Sequence, residues 1–167
     1  MRELFILRHA KSSWDDPTLS DFDRPLNSRG KEDAPLMGEH LAKLGVKPDL
    51  IVSSPAKRAK KSAKIVAEQL GLKPEKIEFR ETIYEASVQS LLYLVCQFPE
   101  SAKRVMLVGH NPGLTQLANT LGDIVIENIP TTGVVGIAFQ LSKWEEACKM
   151  KGHTILFDYP KKIKGKE

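Results

Sequence analysis

Short runs of apolar and β-branched residues alternate along the chain with longer segments in which apolar residues recur every three or four positions. The short runs predict strands over Glu3–Leu7, Leu50–Val52, Ile77–Phe79, Arg104–Val108, Val134–Gln140 and Thr154–Tyr159. The helical pattern occupies residues 37–44, 59–70, 88–95 and 114–121. Gly45, Gly71 and Gly122 follow three of these segments as helix stop signals.

This alternation indicates the fold class. Strands that alternate with amphipathic helices form βαβ units, in which a mostly parallel sheet is covered by helices on both faces. We therefore expect a three-layer α/β/α sandwich. The last two strands are separated only by a short, poorly patterned stretch, which predicts one antiparallel strand at the edge of the sheet.

Length and charge indicate one domain without a strong nucleic-acid signal. The 167 residues fit a single domain, expected over residues 1–160 and followed by a short basic tail over residues 161–167. The tail holds four lysines and one glutamate, so it accounts for +3 of the formal net charge of +4. A short solvated tail thus explains most of the basic balance, and we expect no nucleic-acid partner.

The lengths of the apolar runs and the positions of the two cysteines indicate the cellular compartment of the protein. No apolar run has more than six residues, and purely aliphatic or phenylalanine-containing runs such as Leu4–Leu7 and Val105–Val108 have four, whereas a membrane span needs about 20. The N-terminal run is also too short for a secretory signal, which needs roughly 7–15 apolar residues. Cys96 and Cys148 are far apart and show no metal-ligand spacing, so we expect neither a disulfide framework nor a zinc site. These features predict a cytoplasmic protein with no membrane partner. The oligomeric state is left open by the sequence, and a monomer is the expectation.

Candidate chemistry gathers where three predicted strands end. In open α/β sheets, ligands bind beyond the carboxyl ends of the strands. The first strand ends at Arg8 and His9, the second leads into a helix with Arg58 in its first turn, and the fourth ends before His110. Two histidines and two arginines are therefore expected at one edge of the sheet.

The helix that carries Arg58 favours an anion at this edge. Ser54 is predicted as its N-cap and Pro55 as its first residue, where the missing N–H costs nothing. The Cα–Cβ bond of Arg58 then tilts toward the helix N-terminus and directs the guanidinium group back to the strand ends. Helix N-termini and guanidinium groups both bind anions with several oxygens, and phosphate fits best.

Four segments carry a resemblance to a known family. Leu7–Ser12 (LRHAKS), Ser53–Ala59 (SSPAKRA) and Val108–Gly113 (VGHNPG) resemble the three motifs of the histidine phosphatase superfamily, which includes the phosphoglycerate mutases. Asp21–Gly30 (DFDRPLNSRG) is similar to a stretch of its compact SixA-type phosphohistidine phosphatases. The resemblance extends from about residue 2 to residue 160 and implies the phosphoglycerate mutase-like fold.

The resemblance implies roles for the four converging residues. His9 matches the nucleophile that becomes phosphorylated, Arg8 and Arg58 match the arginines that hold the phosphoryl oxygens, and His110 matches the histidine that donates to the phosphoryl group. The chemistry agrees, because an imidazole must be neutral to attack phosphorus and two nearby guanidinium groups disfavour its protonated form. Phosphoryl transfer asks mainly for positioning and charge stabilisation, which this set supplies without a metal or other cofactor.

Five more residues are candidates for binding the phosphate or substrate: Lys11, Ser12, Asp15, Asn111 and Thr132. Lys11 and Asp15 depart from the mutase branch, which usually has an acidic residue and an asparagine at these positions. Lys11 would add positive charge near the anion. Asp15 would pair with that lysine or with an arginine, or be only a loop carboxylate.

The general acid is less clearly marked. Mutase-like members place a glutamate in a glycine-containing stretch after the third strand, whereas residues 81–87 here lack those glycines. Glu85 is the candidate catalytic acid and Glu81 the runner-up, and surface charge or a helix cap is the alternative for both. A phosphorylated imidazole leaves once solvent protonates it, whereas an alkoxide needs a positioned acid. A weak acid position therefore favours phosphohistidine as substrate.

Other conspicuous side chains are interpreted as structural. His40 and His153 are expected to be structural or solvated, and Trp14 and Trp144 to pack. A local ion-pair and turn network at the rim of the site is expected from Asp21, Asp23 and Arg24. A basic helix face is interpreted as solvated, with steering of anionic partners as the alternative, and is formed by Lys57, Lys60, Lys61 and Lys64 together with Arg58.

These observations predict a metal-independent phosphatase that forms a phosphohistidine intermediate on His9 and dephosphorylates protein phosphohistidine. The alternatives are a phosphatase for a small phosphoester or, less favoured, a mutase; a metal site of His9, His110 and Asp15; and a non-catalytic phosphate-binding or nucleic-acid-binding module. Two arginines aimed at the same point argue against the bound cation.

Overall fold

The strands of the computed structural model, which describes residues 1–165, follow the sequence pattern closely. They are β1 (Arg2–Arg8), β2 (Leu50–Ser53), β3 (Ile77–Phe79), β4 (Arg104–Gly109), β5 (Val134–Phe139) and β6 (His153–Asp158). They form one sheet in the order β3-β2-β4-β1-β5-β6. Strands β1 to β4 are mutually parallel, and β5 is antiparallel to both β1 and β6. The predicted antiparallel strand is therefore β5, one position inside the edge strand β6.

Helices cover both faces of this sheet. They are α1 (Ser28–Lys43), α2 (Lys57–Gln69), α3 (Val88–Cys96), α4 (Gly113–Leu121) and the short α5 (Pro160–Ile163). Within residues 1–165, no helix combines the length and the apolar character needed to cross a bilayer.

The side chains of the central strand β1 alternate between two cores. Leu4 and Ile6 are buried in the core formed with α3 and α4, whereas Phe5 and Leu7 are buried in the core formed with α1 and α2. Because successive side chains of a strand point to opposite faces, this alternation places β1 at the centre of three layers. The predicted α/β/α sandwich is confirmed.

The start of α2 differs from the prediction. The helix begins at Lys57, its N-cap is Ala56, and no side chain caps it. The hydroxyl of Ser54 instead accepts a hydrogen bond from the Ala56 N–H at 3.2 Å within the turn before the helix. Ser54 is therefore not the N-cap and Pro55 is not the first helical residue. This turn leaves the Ser54 hydroxyl directed toward the carboxyl end of β4.

Part of the basic tail is attached to the domain. Ile163 of α5 packs against the core under α1 and α2, and the ammonium group of Lys164 lies 2.9 Å from a carboxylate oxygen of Asp33, which is fully buried. A buried carboxylate needs a charged or hydrogen-bonding partner, and Lys164 supplies one. The interpretation as a freely solvated tail is therefore wrong at residues 163–164. The last two residues of the predicted tail lie outside the described residues.

The two cysteines form a disulfide, which corrects the expectation that they stay reduced. Cys96 ends α3, and Cys148 ends the 3-10 helix Trp144–Cys148. The 3-10 helix lies against α3 because Trp144, fully buried as predicted, packs edge to face with Phe98. Cys96 and Cys148 are 52 residues apart in the sequence, and that distance gives no indication that they meet in the fold.

Reduction of this disulfide is expected to destabilise the protein. A cross-link over a loop of this length typically contributes about 2–4 kcal/mol, because it restricts the unfolded chain. Urea unfolding should therefore show a free energy of unfolding lower by about that amount in dithiothreitol than without it. The Cys96→Ala/Cys148→Ala variant serves as the control, since its unfolding should not respond to dithiothreitol. Two free thiols in the unfolded, unreduced wild type would contradict the disulfide.

Candidate active site

The carboxyl ends of β1, β2 and β4 meet at one edge of the sheet, where a cavity of about 500 Å³ opens. Strand β1 leads directly into the wall of this cavity, and the loop after β4 and the start of α2 form two other sides. The structure brings together the four residues expected at this edge: Arg8, His9, Arg58 and His110.

The hydrogen bonds around His9 hold its ring in place and leave its Nε2 without a proton. It is only 7% exposed, and its Nδ1 lies 2.7 Å from the carbonyl oxygen of Ala10. Because a carbonyl only accepts hydrogen bonds, Nδ1 must carry the proton, which leaves the lone pair on Nε2. From the other side, the backbone N–H of Thr132 donates to the carbonyls of Arg8 and His9 at 3.1 and 3.0 Å. The chain therefore presents Nε2 of His9 as a fixed nucleophile.

Two arginines lie near His9, and one of them, Arg8, keeps its positive charge without a carboxylate partner among the described residues. Nε of Arg58 lies 3.4 Å from Nε2 of His9. Arg8 donates to the Ile129 carbonyl at 2.9 Å, forms no ion pair with any described residue, and has its buried Nε without a partner. Burial, and secondarily the charge of Arg58, lowers the pKa of Arg8. A multi-oxygen anion would supply the missing acceptors.

His110 lies across the cavity from His9. The two ring centroids are 5.1 Å apart, and Nε2 of His110 lies 2.7 Å from the hydroxyl oxygen of Ser54. Its Nδ1 is buried and has no hydrogen-bond partner among the described residues. Two imidazoles at this separation can both contact the same phosphoryl group.

Both histidines are held neutral. Burial is the largest cause that lowers the pKa of His9 to about 3; the hydrogen bond to Ala10 opposes it, and the charges of His110, Arg58 and Arg8 add to it. Burial, followed by the charge of Arg58, lowers the pKa of His110 to about 4. At neutral pH the Nε2 lone pair of His9 is thus available for attack, as nucleophilic catalysis by imidazole requires.

A carboxylate that the sequence analysis assigned only to the rim network also holds Arg58. Asp21 accepts from Nη2 of Arg58 at 3.0 Å, from Nη1 of Arg24 at 2.9 Å and from the hydroxyl of Tyr84 at 2.6 Å. Burial raises the pKa of Asp21, but these three hydrogen bonds outweigh it and bring the pKa to about 2. Asp21 therefore stays ionised and orients the guanidinium group of Arg58.

The same network brings Arg24 and Trp14 to the cavity. Arg24 is buried and lines the cavity, and its guanidinium group lies 3.2 Å from the centroid of the Trp14 ring. Trp14 is 76% exposed at the mouth, where its ring packs against the guanidinium group of Arg24 and not in the interior of the domain. A cation over an aromatic face is attracted by the ring quadrupole, which explains why the ring stays at the surface.

Of the other predicted binding residues, Lys11, Ser12, Asp15 and Asn111 line the cavity. The Asn111 side chain is already engaged, because its amide donates to the Ile129 carbonyl at 2.9 Å. Thr132 does not line the cavity. Its side chain is buried, and its neighbour Thr131 takes the place in the wall.

The predicted acids lie away from the cavity wall. Glu85 and Glu81 are both exposed and neither lines the cavity. Glu85 has a positive φ of 54°, in the short turn between the 3-10 helix Glu81–Ile83 and α3. Asp15 is the one carboxyl group among the lining residues in the described part of the chain.

The remaining histidines have structural partners, as expected. Nε2 of His40 lies 2.7 Å from Asp158, and Nδ1 of His153 lies 2.7 Å from Asp123. Among residues 1–165, no three His, Cys, Asp or Glu side chains are arranged to hold a metal ion, and this includes the alternative set of His9, His110 and Asp15.

Comparison with known proteins gives consistent matches. A profile of the histidine phosphatase superfamily (branch 1) matches residues 4–92. An uncharacterized chloroplastic protein of Arabidopsis thaliana is 33% identical over 159 residues, which covers 90% of this chain and 72% of that protein.

Two solved structures share the fold over nearly their whole length. A protein from Agrobacterium tumefaciens with the provisional name phosphohistidine phosphatase SixA superposes with a TM-score of 0.80 at 28% identity, covering 95% of this chain and 98% of its own. A complex of the protein histidine phosphatase SixA with tungstate superposes with a TM-score of 0.82 at 22% identity, covering 96% and 99%.

The neutral state of the two histidines can be measured directly. NMR resonances of the His9 and His110 rings, assigned through His9→Ala and His110→Ala, should not titrate between about pH 5 and pH 8. The pKa values of His9 and His110 in the folded protein lie below the ordinary value of 6.5. Between those folded pKa values and pH 6.5, the unfolded chain therefore binds more protons than the folded protein. The free energy of unfolding should therefore fall as the pH falls through that window. Midpoints near 6.5 would contradict the described site.

The affinity of the cavity for oxyanions should depend on the planar pair of N–H donors in the guanidinium group of Arg58. Arg58→Ala removes a charged donor worth about 1.5–3 kcal/mol, so vanadate should bind roughly 10- to 100-fold more weakly by calorimetry. Arg58→Lys should restore little, because an ammonium group cannot reproduce the planar fork. Arg104→Ala, an exposed arginine at the opposite end of β4, is the control and should bind as wild type. Unchanged affinity in Arg58→Ala would remove this residue from the site.

Proposed function

Because the chain belongs to branch 1 of the histidine phosphatase superfamily and is a phosphatase, we propose that it acts without a metal ion, through a phosphohistidine intermediate on His9, on phosphohistidine carried by a protein. The observation that carries this proposal is the unprotonated Nε2 of His9, which accepts a hydrogen bond from Nε of Arg58 at 3.4 Å and lies near Arg8, an arginine without a carboxylate partner among the described residues.

The reaction we propose has two displacements at phosphorus. Nε2 of His9 forms a bond to phosphorus as the bond to the leaving group breaks, and water then attacks phosphorus and releases His9. Arg8 and Arg58 hold the equatorial oxygens in both steps, and His110 donates a hydrogen bond to the phosphoryl group. Electrostatic stabilisation and positioning of this kind carry most of the catalysis of phosphoryl transfer.

The acid groups near the cavity favour imidazole as the leaving group. Asp21 has a pKa of about 2 and is ionised at neutral pH, and Glu85 is exposed and outside the cavity wall. Asp15, the one carboxyl group in the wall among the described residues, is exposed, and no described residue holds its side chain in place. An alkoxide leaving group needs a proton from a positioned acid, which typically contributes about 10²–10⁴-fold. An imidazole leaving group takes its proton from solvent. These facts support phosphohistidine over alkyl phosphoesters.

A phosphatase for a small phosphoester is the second candidate. The cavity of about 500 Å³ exceeds the size of a phosphoryl group and lies within the range of small-molecule sites. It could therefore enclose a small phosphorylated metabolite as well as a phosphorylated side chain.

Other expectations stay predictions. These are a monomer, one domain over residues 1–160, and the binding roles of Lys11, Ser12, Asp15, Asn111 and Thr132. A cytoplasmic location is also still a prediction, and the Cys96–Cys148 disulfide removes the argument from reduced cysteines that supported it.

A substrate panel tests the proposed function. It compares kcat/KM for a phosphohistidine peptide, a phosphoserine peptide, a sugar phosphate and an aryl phosphate, each with and without EDTA. We expect the phosphohistidine peptide to be turned over fastest and EDTA to have no effect. His9→Ala should abolish all turnover while its circular dichroism matches that of wild type. Faster turnover of the sugar phosphate would favour the second candidate.

The role of Glu85 is resolved in the same panel. Glu85→Gln should change phosphohistidine turnover little, because imidazole does not need an acid from the protein. Glu81→Gln, a neighbouring glutamate of similar exposure, is the matched control. A large and equal loss on all substrates in Glu85→Gln alone would make Glu85 a general acid and would contradict the argument from the leaving group.

A further inference from the structure

A second groove lies beside the active-site cavity, between α2 and the segment that precedes α1. It has a volume of about 450 Å³, and Pro25 and Leu26 contribute its apolar surface. All its other lining residues are lysines, namely Lys31, Lys57, Lys60, Lys61 and Lys64. We refer to it as the lysine groove.

The lysine groove concentrates charge that the protein does not neutralise. Its five lysines are exposed, and none of them forms an ion pair within the described residues. Four of them repeat at spacings of three and four along α2, where like charges on one helix face destabilise the helix. Glu68, the next acidic residue along α2, does not line the groove. The arrangement therefore has an unfavourable cost that an anionic partner would relieve.

One short segment separates the lysine groove from the catalytic cavity. Arg24 and Asn27 line the cavity, whereas Pro25 and Leu26 between them line the groove. Leu26 also forms a backbone bridge with Ser12, which lines the cavity. A chain whose phosphorylated side chain enters the cavity would cross this segment and reach the lysines within a few residues.

We propose that the lysine groove binds an acidic segment of the protein substrate, close in sequence to its phosphorylated side chain. This inference rests on the proposed function and narrows its substrate class to phosphoproteins with carboxylates beside the phosphorylated residue.

The dimensions and the surface of the groove favour a peptide over a nucleic acid. Lys57 to Lys64 spans about 10 Å along the helix, which matches about three residues of extended chain. Pro25 and Leu26 offer an apolar contact for a side chain between the carboxylates. No aromatic residue lines the groove, and the one ring near a groove lysine among the described residues is that of Phe79, 5.1 Å from Nζ of Lys60. Single-stranded nucleic acids are usually held by stacking of successive bases on several aromatic rings.

Charge-neutralising variants test the proposal. The groove variant is Lys60→Gln/Lys61→Gln/Lys64→Gln, which leaves every residue of the catalytic cavity intact. The matched control is Lys47→Gln/Lys76→Gln/Lys103→Gln, which removes three exposed lysines just before β2, β3 and β4, at the opposite edge of the sheet. The substrates are two phosphohistidine peptides that differ only in having glutamates or glutamines beside the phosphorylated residue, and an aryl phosphate.

We expect the groove variant to raise KM for the glutamate peptide about tenfold with kcat unchanged, since exposed charge pairs contribute modestly but act together. Its KM for the glutamine peptide and its kcat/KM for the aryl phosphate should equal those of wild type. The control variant should retain the wild-type preference for glutamate. Equal KM values of wild type for the two peptides would overturn the proposal.

A binding measurement separates this inference from the proposed function. Fluorescence anisotropy with unphosphorylated glutamate and glutamine peptides reports on the groove even if phosphohistidine is not a substrate. Tighter binding of the glutamate peptide by wild type, lost in the groove variant, would support the inference. Wild-type binding by the groove variant would overturn it. A labelled single-stranded oligonucleotide is the third probe. If its binding requires the three lysines and binding of the glutamate peptide does not, the proposal is overturned in favour of a nucleic-acid partner.

Discussion

The site depends on holding two guanidinium groups against a buried imidazole. Positive charges this close repel each other and are poorly solvated when buried, so the protein must supply acceptors. It supplies the Ile129 carbonyl for Arg8, and the carbonyl and carboxylate of Asp21 for Arg58. Neither set of acceptors binds all the N–H groups of its guanidinium group. Guanidinium N–H groups that are left without acceptors carry an electrostatic cost, and an entering phosphoryl group removes that cost. The same unpaired donors therefore strengthen phosphate binding and destabilise the empty site.

The sequence predicted the sheet and the meeting of Arg8, His9, Arg58 and His110 at one of its edges because both follow from short-range rules. Buried strands appear as apolar runs, and the residue that ends such a strand is fixed at the carboxyl edge by covalent connection alone. His9 and His110 are located in this way, and Arg58 by its place in the first turn of α2. The resemblance to the histidine phosphatases, which rested on three short motifs, is confirmed by the profile match and the structural neighbours.

The features that sequence reasoning missed depend on contacts between distant segments. Asp21 reaches Arg58 across 37 residues, and Cys96 meets Cys148 across 52. No periodicity encodes such pairs. The N-cap prediction for Ser54 fails for a related reason. A serine before a proline has the local signature of a helix cap, but its hydroxyl accepts a hydrogen bond from the Ala56 N–H within the turn and bonds to His110. Tertiary partners thus overrode a sound local rule.

The direction of β5 has a consequence for how this fold can diversify. Because β5 is antiparallel to β1, its first residue pairs with Leu7, and the loop before β5 arrives at the same edge as His9. Ile129 and Thr132 of this loop therefore reach Arg8 and His9 through backbone groups. Backbone contacts tolerate many side chains. Ile129 and Thr132 are themselves buried, but the exposed Asn128 and the half-buried Thr131 of this loop can change, and with Thr131 the shape of one wall of the cavity, while the support of the nucleophile is inherited unchanged.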